Sequence, residues 1–148
     1  MITGCYHTSF TVRNLERSVA FYRDVLGLEL KGVQGGAHQY LRDIVALPDA
    51  DLKIAFLGIP GSDHVLELIE YVAPKGIPAD IATCNAGSAH LCFRCDDLPA
   101  TYAAWQAKGV QFKSPPVRIP LGRNEGGYAV YFLDPDGVTL ELFQPPLA

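Results

Sequence analysis

The stretches Val65-Leu66-Glu67-Leu68 and Thr139-Leu140-Glu141-Leu142 decide how this sequence is organised. Each places one glutamate in a run of residues that otherwise suits burial, which is typical of a strand with one functional face. A histidine opens a comparable stretch upstream of each glutamate, His7 before the first and His90 before the second. The pattern therefore indicates a duplicated unit in which a histidine strand precedes a glutamate strand.

An overlay of the two halves supports the duplication. When His7 is placed on His90, four further matches follow without a gap: Phe10 with Phe93, Leu15 with Leu98, Ala20 with Ala103 and Tyr22 with Trp105. One gap later, Gly27 meets Gly109. The histidine and glutamate are 60 residues apart in the first copy and 51 in the second, so the copies differ mainly in loop length.

Composition narrows the classes of protein that fit. With 148 residues and 49% hydrophobic content, the chain can form one compact domain or two small modules over a shared core. A net charge of −4 leaves no basic stripe for nucleic acid, and no apolar run approaches the ~20 residues that span a bilayer. We therefore expect neither a nucleic acid nor a membrane as a partner.

The N-terminus predicts a cytoplasmic protein, and that prediction sets the expected state of the cysteines. Residues 1–4 lack the basic and apolar regions of a signal peptide, so the four cysteines are expected to be reduced thiols. Cys92 and Cys95 form a C-x-x-C pair, but they lie in a strand pattern and no second pair follows downstream. We interpret them as structural rather than as a zinc or redox motif.

The first module is predicted at about residues 5–71. Residues 5–12 alternate as a strand with His7 on its polar face, and Asn14 caps a helix that runs to residue 25 and stops at Gly27. Further strands are predicted at 28–33, 37–44, 52–58 and 64–71, with Gly35 and Gly36 as a turn. Residues 72–88 carry several prolines and glycines and form the predicted linker.

The second module is predicted at about residues 89–144. It repeats a strand at 89–95, a helix at 99–108 capped by Asp97, and a strand at 110–113. A proline- and glycine-bearing loop at 115–127 leads to a hairpin of strands 129–133 and 138–143, whose turn is Asp134-Pro135-Asp136-Gly137.

Alternation along the predicted strands puts His7, Glu67, His90 and Glu141 on faces that can line a cleft. A buried carboxylate needs a partner, and a divalent cation suits two imidazoles and two carboxylates best. Glu70 falls on the opposite face and is predicted at the surface. His38 and His64 have no counterpart in the other module, so both are predicted to be surface or loop residues.

These features together resemble the vicinal oxygen chelate superfamily, which includes lactoylglutathione lyases, methylmalonyl-CoA epimerases, extradiol dioxygenases and antibiotic-resistance proteins. The resemblance covers the whole chain and rests on the duplication, the two Leu-Glu-Leu strands and the run from Tyr131 to Glu141. It implies an α+β fold in which two fused βαβββ modules form an open barrel-like mixed sheet with helices outside. It also implies one divalent ion (Ni, Zn, Co, Mn or Fe) at His7, Glu67, His90 and Glu141.

The resemblance favours a glyoxalase-type lyase or isomerase on a small substrate with adjacent oxygens, since a fourth ligand is kept at Glu67. In that branch the metal stabilises an enolate intermediate. A carboxylate moves the proton, and the resemblance assigns that role here to Glu67 or Glu141. Two departures argue against glutathione as part of the substrate: Leu68-Ile69-Glu70 replaces a usual Thr-x-Asn, and Thr11 replaces an arginine. The related epimerases commonly carry glutamine at the Glu67 position.

Two alternatives and one expectation about assembly complete the interpretation. Tyr131, the Asp134-to-Gly137 turn and Glu141 fit the extradiol dioxygenase signature, in which Tyr131 would act beside ferrous iron, but its upstream histidine is Arg123 or Asn124 here. A metal-free drug-binding protein is the alternative from another class.

Proteins that resemble this one often dimerise, so we expect a homodimer.

Overall fold

The computed structural model describes residues 1–147, which contain nine strands and three α-helices. They divide into two compact units, Met1–Ala79 and Asp80–Ala148, and the division falls within the predicted linker. Each unit has its own mixed sheet, and neither sheet closes into a barrel among the described residues. The α+β class is therefore confirmed, with the strands shared between two sheets.

The first unit builds a four-stranded sheet in the order β1-β4-β3-β2. The only parallel contact in it joins β1 to β4, and the other pairs are antiparallel. Its strands are β1 (His7–Thr11), β2 (Glu29–Gly36), β3 (Asp51–Gly58) and β4 (Val65–Ala73). The predicted strands at 52–58 and 64–71 agree with β3 and β4 to within two residues.

Helix α1 (Leu15–Ala20) follows β1 as the sequence predicts. Asn14 caps it, because its side-chain oxygen accepts a hydrogen bond from the Arg17 N–H at 2.7 Å. The helix continues as a π-helical segment, Phe21–Val25, and the chain turns at Gly27 with φ of 81°. Tyr22 on this segment is fully buried.

The prediction that Glu70 lies at the surface is wrong, because its exposure is only 7%. It occupies the sheet face that carries α1, and its Oε2 accepts a hydrogen bond from the Leu15 N–H at 2.9 Å. The first turn of a helix has free N–H groups and a positive partial charge, so a carboxylate is favoured there. Lys75 Nζ at 3.4 Å and Lys53 Nζ at 4.0 Å complete its surroundings.

The segment predicted as a strand at 37–44 is a helix, α2 (Gln39–Val45). The helix forms because Leu41 and Val45, four residues apart, pack on a core of Ala50, Leu52 and Ile54. The predicted turn at Gly35 and Gly36 is also wrong, because β2 runs through both glycines. Glycine is required at Gly35, where φ is 145° and a Cβ atom would collide with the carbonyl oxygen of Leu52.

The second unit contains α3 (Leu98–Ala107) and a five-stranded sheet in the order β5-β9-β8-β6, with β7 paired to β8. Asp97 caps α3 by accepting the Ala100 N–H at 2.9 Å. The strands are β5 (Leu91–Arg94), β6 (Gln111–Phe112), β7 (Val117–Arg118), β8 (Tyr128–Leu133) and β9 (Thr139–Gln144). Strand β7 lies inside the stretch predicted as a loop, and β5 begins one residue after His90.

The predicted hairpin joins β8 to β9 as expected. Asp134 Oδ1 accepts hydrogen bonds from the N–H groups of Asp136 and Val138, both at 2.8 Å, and Gly137 takes a φ of 86°. This turn fixes the register that places Tyr131 opposite Glu141. Within residues 1–147, no helix is long and apolar enough to cross a membrane.

Candidate functional site

In the first unit, the structure brings His7 and Glu67 together. The parallel pairing of β1 and β4 sets Ser9 beside Glu67, with His7 two residues earlier on the same face of β1. His7 Nε2 lies 3.6 Å from Glu67 Oε2. The Glu67 side chain is 12% exposed, whereas its neighbours Leu66 and Leu68 point to the opposite face and are fully buried.

Glu67 lies between a polar and an aromatic cross-strand neighbour. Ser9 flanks it on β1, and Phe56 is its antiparallel partner on β3. Phe56 also packs against the hydrophobic cluster of α2. The surroundings of this carboxylate are therefore largely apolar on the β3 side.

The second unit repeats the pair. His90 precedes β5, and its Nε2 lies 3.1 Å from Glu141 Oε2 on β9. Glu141 is 19% exposed, and Leu140 and Leu142 on either side of it are buried on the opposite face. The two histidine–glutamate pairs thus occupy matching places in the two units, as the duplication predicts.

Glu141 has more polar neighbours than Glu67. Cys92 on β5 and Tyr131 on β8 are its cross-strand partners, and the rings of Tyr131 and His90 have centroids 5.1 Å apart. Burial, followed by the charge and hydrogen bonding of Glu141, raises the pKa of Cys92 to about 12. Burial, followed by the charges of Glu141 and Cys92, also raises the pKa of Tyr131. Both side chains are therefore proton donors near neutral pH.

Lys113 extends this polar row beyond Tyr131. Its Nζ donates a hydrogen bond to Thr139 Oγ1 at 2.9 Å and lies 6.0 Å from the centroid of the Tyr131 ring. Thr139 is 2% exposed and stands two residues before Glu141 on β9. The sequence patterns did not identify Lys113 or Phe56. Each lies near a histidine–glutamate pair only because of how the strands are paired, which the sequence does not show. Strand alternation in the sequence already predicts that Cys92 shares a face with His90.

The remaining predicted residues lie apart from the pairs. His38 is exposed and precedes α2, and His64 lies in the connection before β4, so both are loop residues as predicted. His64 Nε2 is 2.9 Å from Thr8 Oγ1. The four cysteines are free thiols. Burial, with the charges of Asp96 and Asp97, raises the pKa of Cys95, which disfavours a reactive thiolate and agrees with a structural interpretation of the C-x-x-C pair.

The donor atoms of each pair suit a divalent ion. Nitrogen and oxygen ligands of such ions lie at about 2.0–2.2 Å from the metal, so adjacent ligands of one ion are about 3 Å apart. The separations of 3.1 Å and 3.6 Å are close to that value. Within residues 1–147, no three His, Cys, Asp or Glu side chains come together as a metal-binding group, so each pair is present as two donors.

The sequence matches one protein family over most of its length, and two similar proteins are enzymes. The sequence profile of the glyoxalase/bleomycin resistance protein/dioxygenase superfamily matches residues 4–142. The chain is 32% identical over 145 residues to a 2-epi-5-epi-valiolone epimerase from Actinomyces sp., covering 95% of this chain and 79% of that protein. It is 30% identical over 140 residues to a lactoylglutathione lyase from Haemophilus influenzae, covering 93% and 90%.

A solved structure supports the fold. The glyoxalase family protein APC24694 from Bacillus cereus superimposes with a TM-score of 0.86 over 99% of this chain and 97% of that one, at 17% sequence identity. At that identity the likeness concerns the fold alone.

Proposed function

The chain belongs to the glyoxalase/bleomycin resistance protein/dioxygenase superfamily, and we propose that it is a metal-dependent lyase or isomerase that moves a proton next to a carbonyl group. The observation that carries this proposal is the second carboxylate: Glu67 pairs with His7 as Glu141 pairs with His90. The relatives named as an epimerase and a lyase support the same class of reaction.

We propose that His7, Glu67, His90 and Glu141 hold one divalent ion. Two imidazoles and two carboxylates form a donor set that suits nickel, zinc, cobalt, manganese or ferrous iron. When bound, the ion supplies Lewis acidity to the carbonyl oxygen, which acidifies the neighbouring C–H group. The chain must then supply a base, a hydroxyl donor and a shaped surface.

Glu67 is the residue that best fits the role of base. Its contact with His7 is the longer of the two, at 3.6 Å, and its β3 neighbour is the aromatic ring of Phe56. Glu141 instead has His90 at 3.1 Å, with Cys92 and Tyr131 beside it. Fewer polar contacts leave the Glu67 carboxylate freer to accept a proton from the substrate and return it.

Tyr131 fits the role of hydroxyl donor. Its raised pKa keeps the phenol protonated, and its cross-strand pairing with Glu141 puts it on the same sheet face as that carboxylate, beside the His90 ring. A phenol in that state can donate a hydrogen bond to an oxygen that gains negative charge during the reaction.

The test follows proton exchange at carbon. The nickel- or zinc-loaded protein is offered 2-epi-5-epi-valiolone, the methylglyoxal–glutathione hemithioacetal and 2-methylmalonyl-CoA in deuterated water, and NMR reports deuterium incorporation. We expect incorporation into at least one compound. Glu67→Gln should lower its rate by about 100-fold or more, while metal affinity changes far less because the amide oxygen remains a donor.

Glu29→Gln is the matched control, because Glu29 is an exposed glutamate paired with Lys31 at 2.6 Å. It should leave the exchange rate unchanged. No exchange with any of the three compounds, or equal losses for both variants, would contradict the proposal.

A second candidate, ring cleavage of a catechol by ferrous iron, is favoured by one observation. Tyr131 lies beside both His90 and Glu141, as a hydroxyl donor to a bound catechol would. Oxygen uptake by the iron-loaded protein with simple catechols under air would support this candidate over proton transfer.

A further inference from the structure

Helix α2 lies on the same sheet face as Glu67. In the antiparallel pairing of β3 with β4, Phe56 opposes Glu67, Ile54 opposes Ile69 and Leu52 opposes Tyr71, and opposed side chains share a face. Leu52 and Ile54 belong to the core under α2, and Phe56, Ile69 and Tyr71 pack against it. The face with the candidate base is therefore also the face that α2 covers.

The opposite sheet face carries α1 instead. Lys53 and Glu70 lie on that face, where Lys53 Nζ is 3.1 Å from Glu16 Oε1 and Glu70 accepts the Leu15 N–H. Val19 of α1 is 8% exposed there. The two helices thus pack on opposite sides of one sheet, and only α2 shares a side with Glu67.

Along the sheet face that carries Glu67, side-chain exposure falls where α2 covers the sheet. Leu52 and Ile54 are 1% and 4% exposed beneath the helix, whereas Phe56 is only half-buried. Ile69 stands two residues beyond Glu67 on β4, a distance of about 7 Å along a strand. A group that extends farther than this from Glu67 toward Tyr71 meets apolar side chains held by α2.

Helix α2 is held in place by a side-chain hydrogen bond to the segment that follows it and by a buried leucine. Its first turn is closed by the carbonyl oxygen of His38, which accepts hydrogen bonds from the Leu41 and Arg42 N–H groups, at 3.1 and 3.2 Å. Arg42 Nε donates to the Ala50 carbonyl oxygen at 3.2 Å, and Leu41 is 5% exposed. Such an element acts as a fixed boundary.

We propose that α2, with Phe56 and Ile69, forms an apolar wall beside Glu67 that selects a compact substrate. The substrate class is a small hydroxyketone whose carbon skeleton carries both oxygens, and conjugates with a long thiol or thioester arm on that side are rejected. This inference rests on the proposed function, because Glu67 must lie at the reacting carbon.

The test compares a compact and an extended probe on the metal-loaded, full-length protein. The compact probe is 2-epi-5-epi-valiolone, and the extended probe is the methylglyoxal–glutathione hemithioacetal. The wild-type protein should strongly prefer the compact probe. Val45→Ala thins the wall by two methyl groups and should raise kcat/KM for the extended probe relative to the compact one by about tenfold.

Val19→Ala is the matched control, because it makes the same substitution in the helix on the opposite face. It should leave the ratio of the two kcat/KM values unchanged. Ile69→Val removes one methylene from the same wall, should shift the ratio in the same direction, and serves if Val45→Ala fails to fold. Equal turnover of both probes by the wild-type protein, or equal shifts for Val45→Ala and Val19→Ala, would overturn the proposal.

Failure of the reaction itself is distinguishable. If neither these two probes nor 2-methylmalonyl-CoA exchanges deuterium, the proposed reaction is contradicted, and the wall is tested instead by amide hydrogen exchange with the compact probe present. If adding the probe slows amide exchange in Gln39–Val45 more than in Leu15–Ala20, the result supports the wall. Unchanged exchange in Gln39–Val45 contradicts it.

Discussion

Glu70 allows a direct test of what stabilises the first unit, because its buried carboxylate accepts a hydrogen bond from a backbone N–H group at the start of α1. Glu70→Ala leaves the Leu15 N–H without its acceptor at 2.9 Å and removes the negative charge at the helix N-terminus. An unsatisfied buried donor costs about 1–3 kcal/mol and the lost charge about 0.3–1 kcal/mol. We therefore expect the free energy of unfolding to fall by about 2–3 kcal/mol.

Urea denaturation followed by circular dichroism measures this loss. Glu70→Gln keeps an oxygen acceptor and should lose only about 1 kcal/mol or less, the share due to charge. Glu16→Ala is the control, because Glu16 is an exposed carboxylate in the first turn of the same helix and also pairs with Lys53. Its removal takes away a charge but leaves no buried donor unsatisfied, so it should cost clearly less stability than Glu70→Ala. If Glu70→Ala were no less stable than Glu16→Ala, the capping role assigned to Glu70 would be wrong.

Three further predictions concern the hydroxyl donor Tyr131, the N-terminal cap of helix α3 and assembly. Tyr131→Phe should reduce turnover by about tenfold or more while metal affinity, measured by isothermal titration, stays unchanged; an equal loss of both would place Tyr131 among structural residues instead. Asp97→Ala removes the acceptor of the Ala100 N–H and should lower the free energy of unfolding by about 1 kcal/mol, whereas Asp63→Ala, at an exposed position before β4, should have no effect on urea denaturation. Light scattering at tens of micromolar should give the mass of a homodimer, and a monomeric mass would count against that expectation.

Most of the fold follows from local signals in the sequence. Asn14 and Asp97 cap their helices through their own side chains, and the Asp134-to-Gly137 turn closes its hairpin through contacts within five residues. Helix α2 was missed because a seven-residue segment with Tyr40 and Ile44 fits strand alternation as well as helical spacing. Packing of Leu41 on Leu52 decides the outcome, and that contact is not local.

The same distinction applies to the site. In each unit the structure brings the histidine close to the glutamate, His7 to Glu67 and His90 to Glu141, because matched positions in a repeat share their strand pairing. Glu70 was misplaced because its partner, the Leu15 N–H, lies 55 residues earlier in the chain. Phe56 and Lys113 could be placed only once the register of β3 with β4 and the fold of the second sheet were known.

Metal stoichiometry tests the central claim most directly, since each histidine–glutamate pair alone offers only two donors. Isothermal titration of metal-free protein with nickel or zinc should give one tightly bound ion per chain. His7→Ala and His90→Ala should each abolish that binding while circular dichroism shows a folded protein, and His38→Ala, which alters an exposed loop histidine, should bind normally. Two ions per chain, or one ion retained by either the His7 or the His90 variant, would contradict a single site shared by the two pairs.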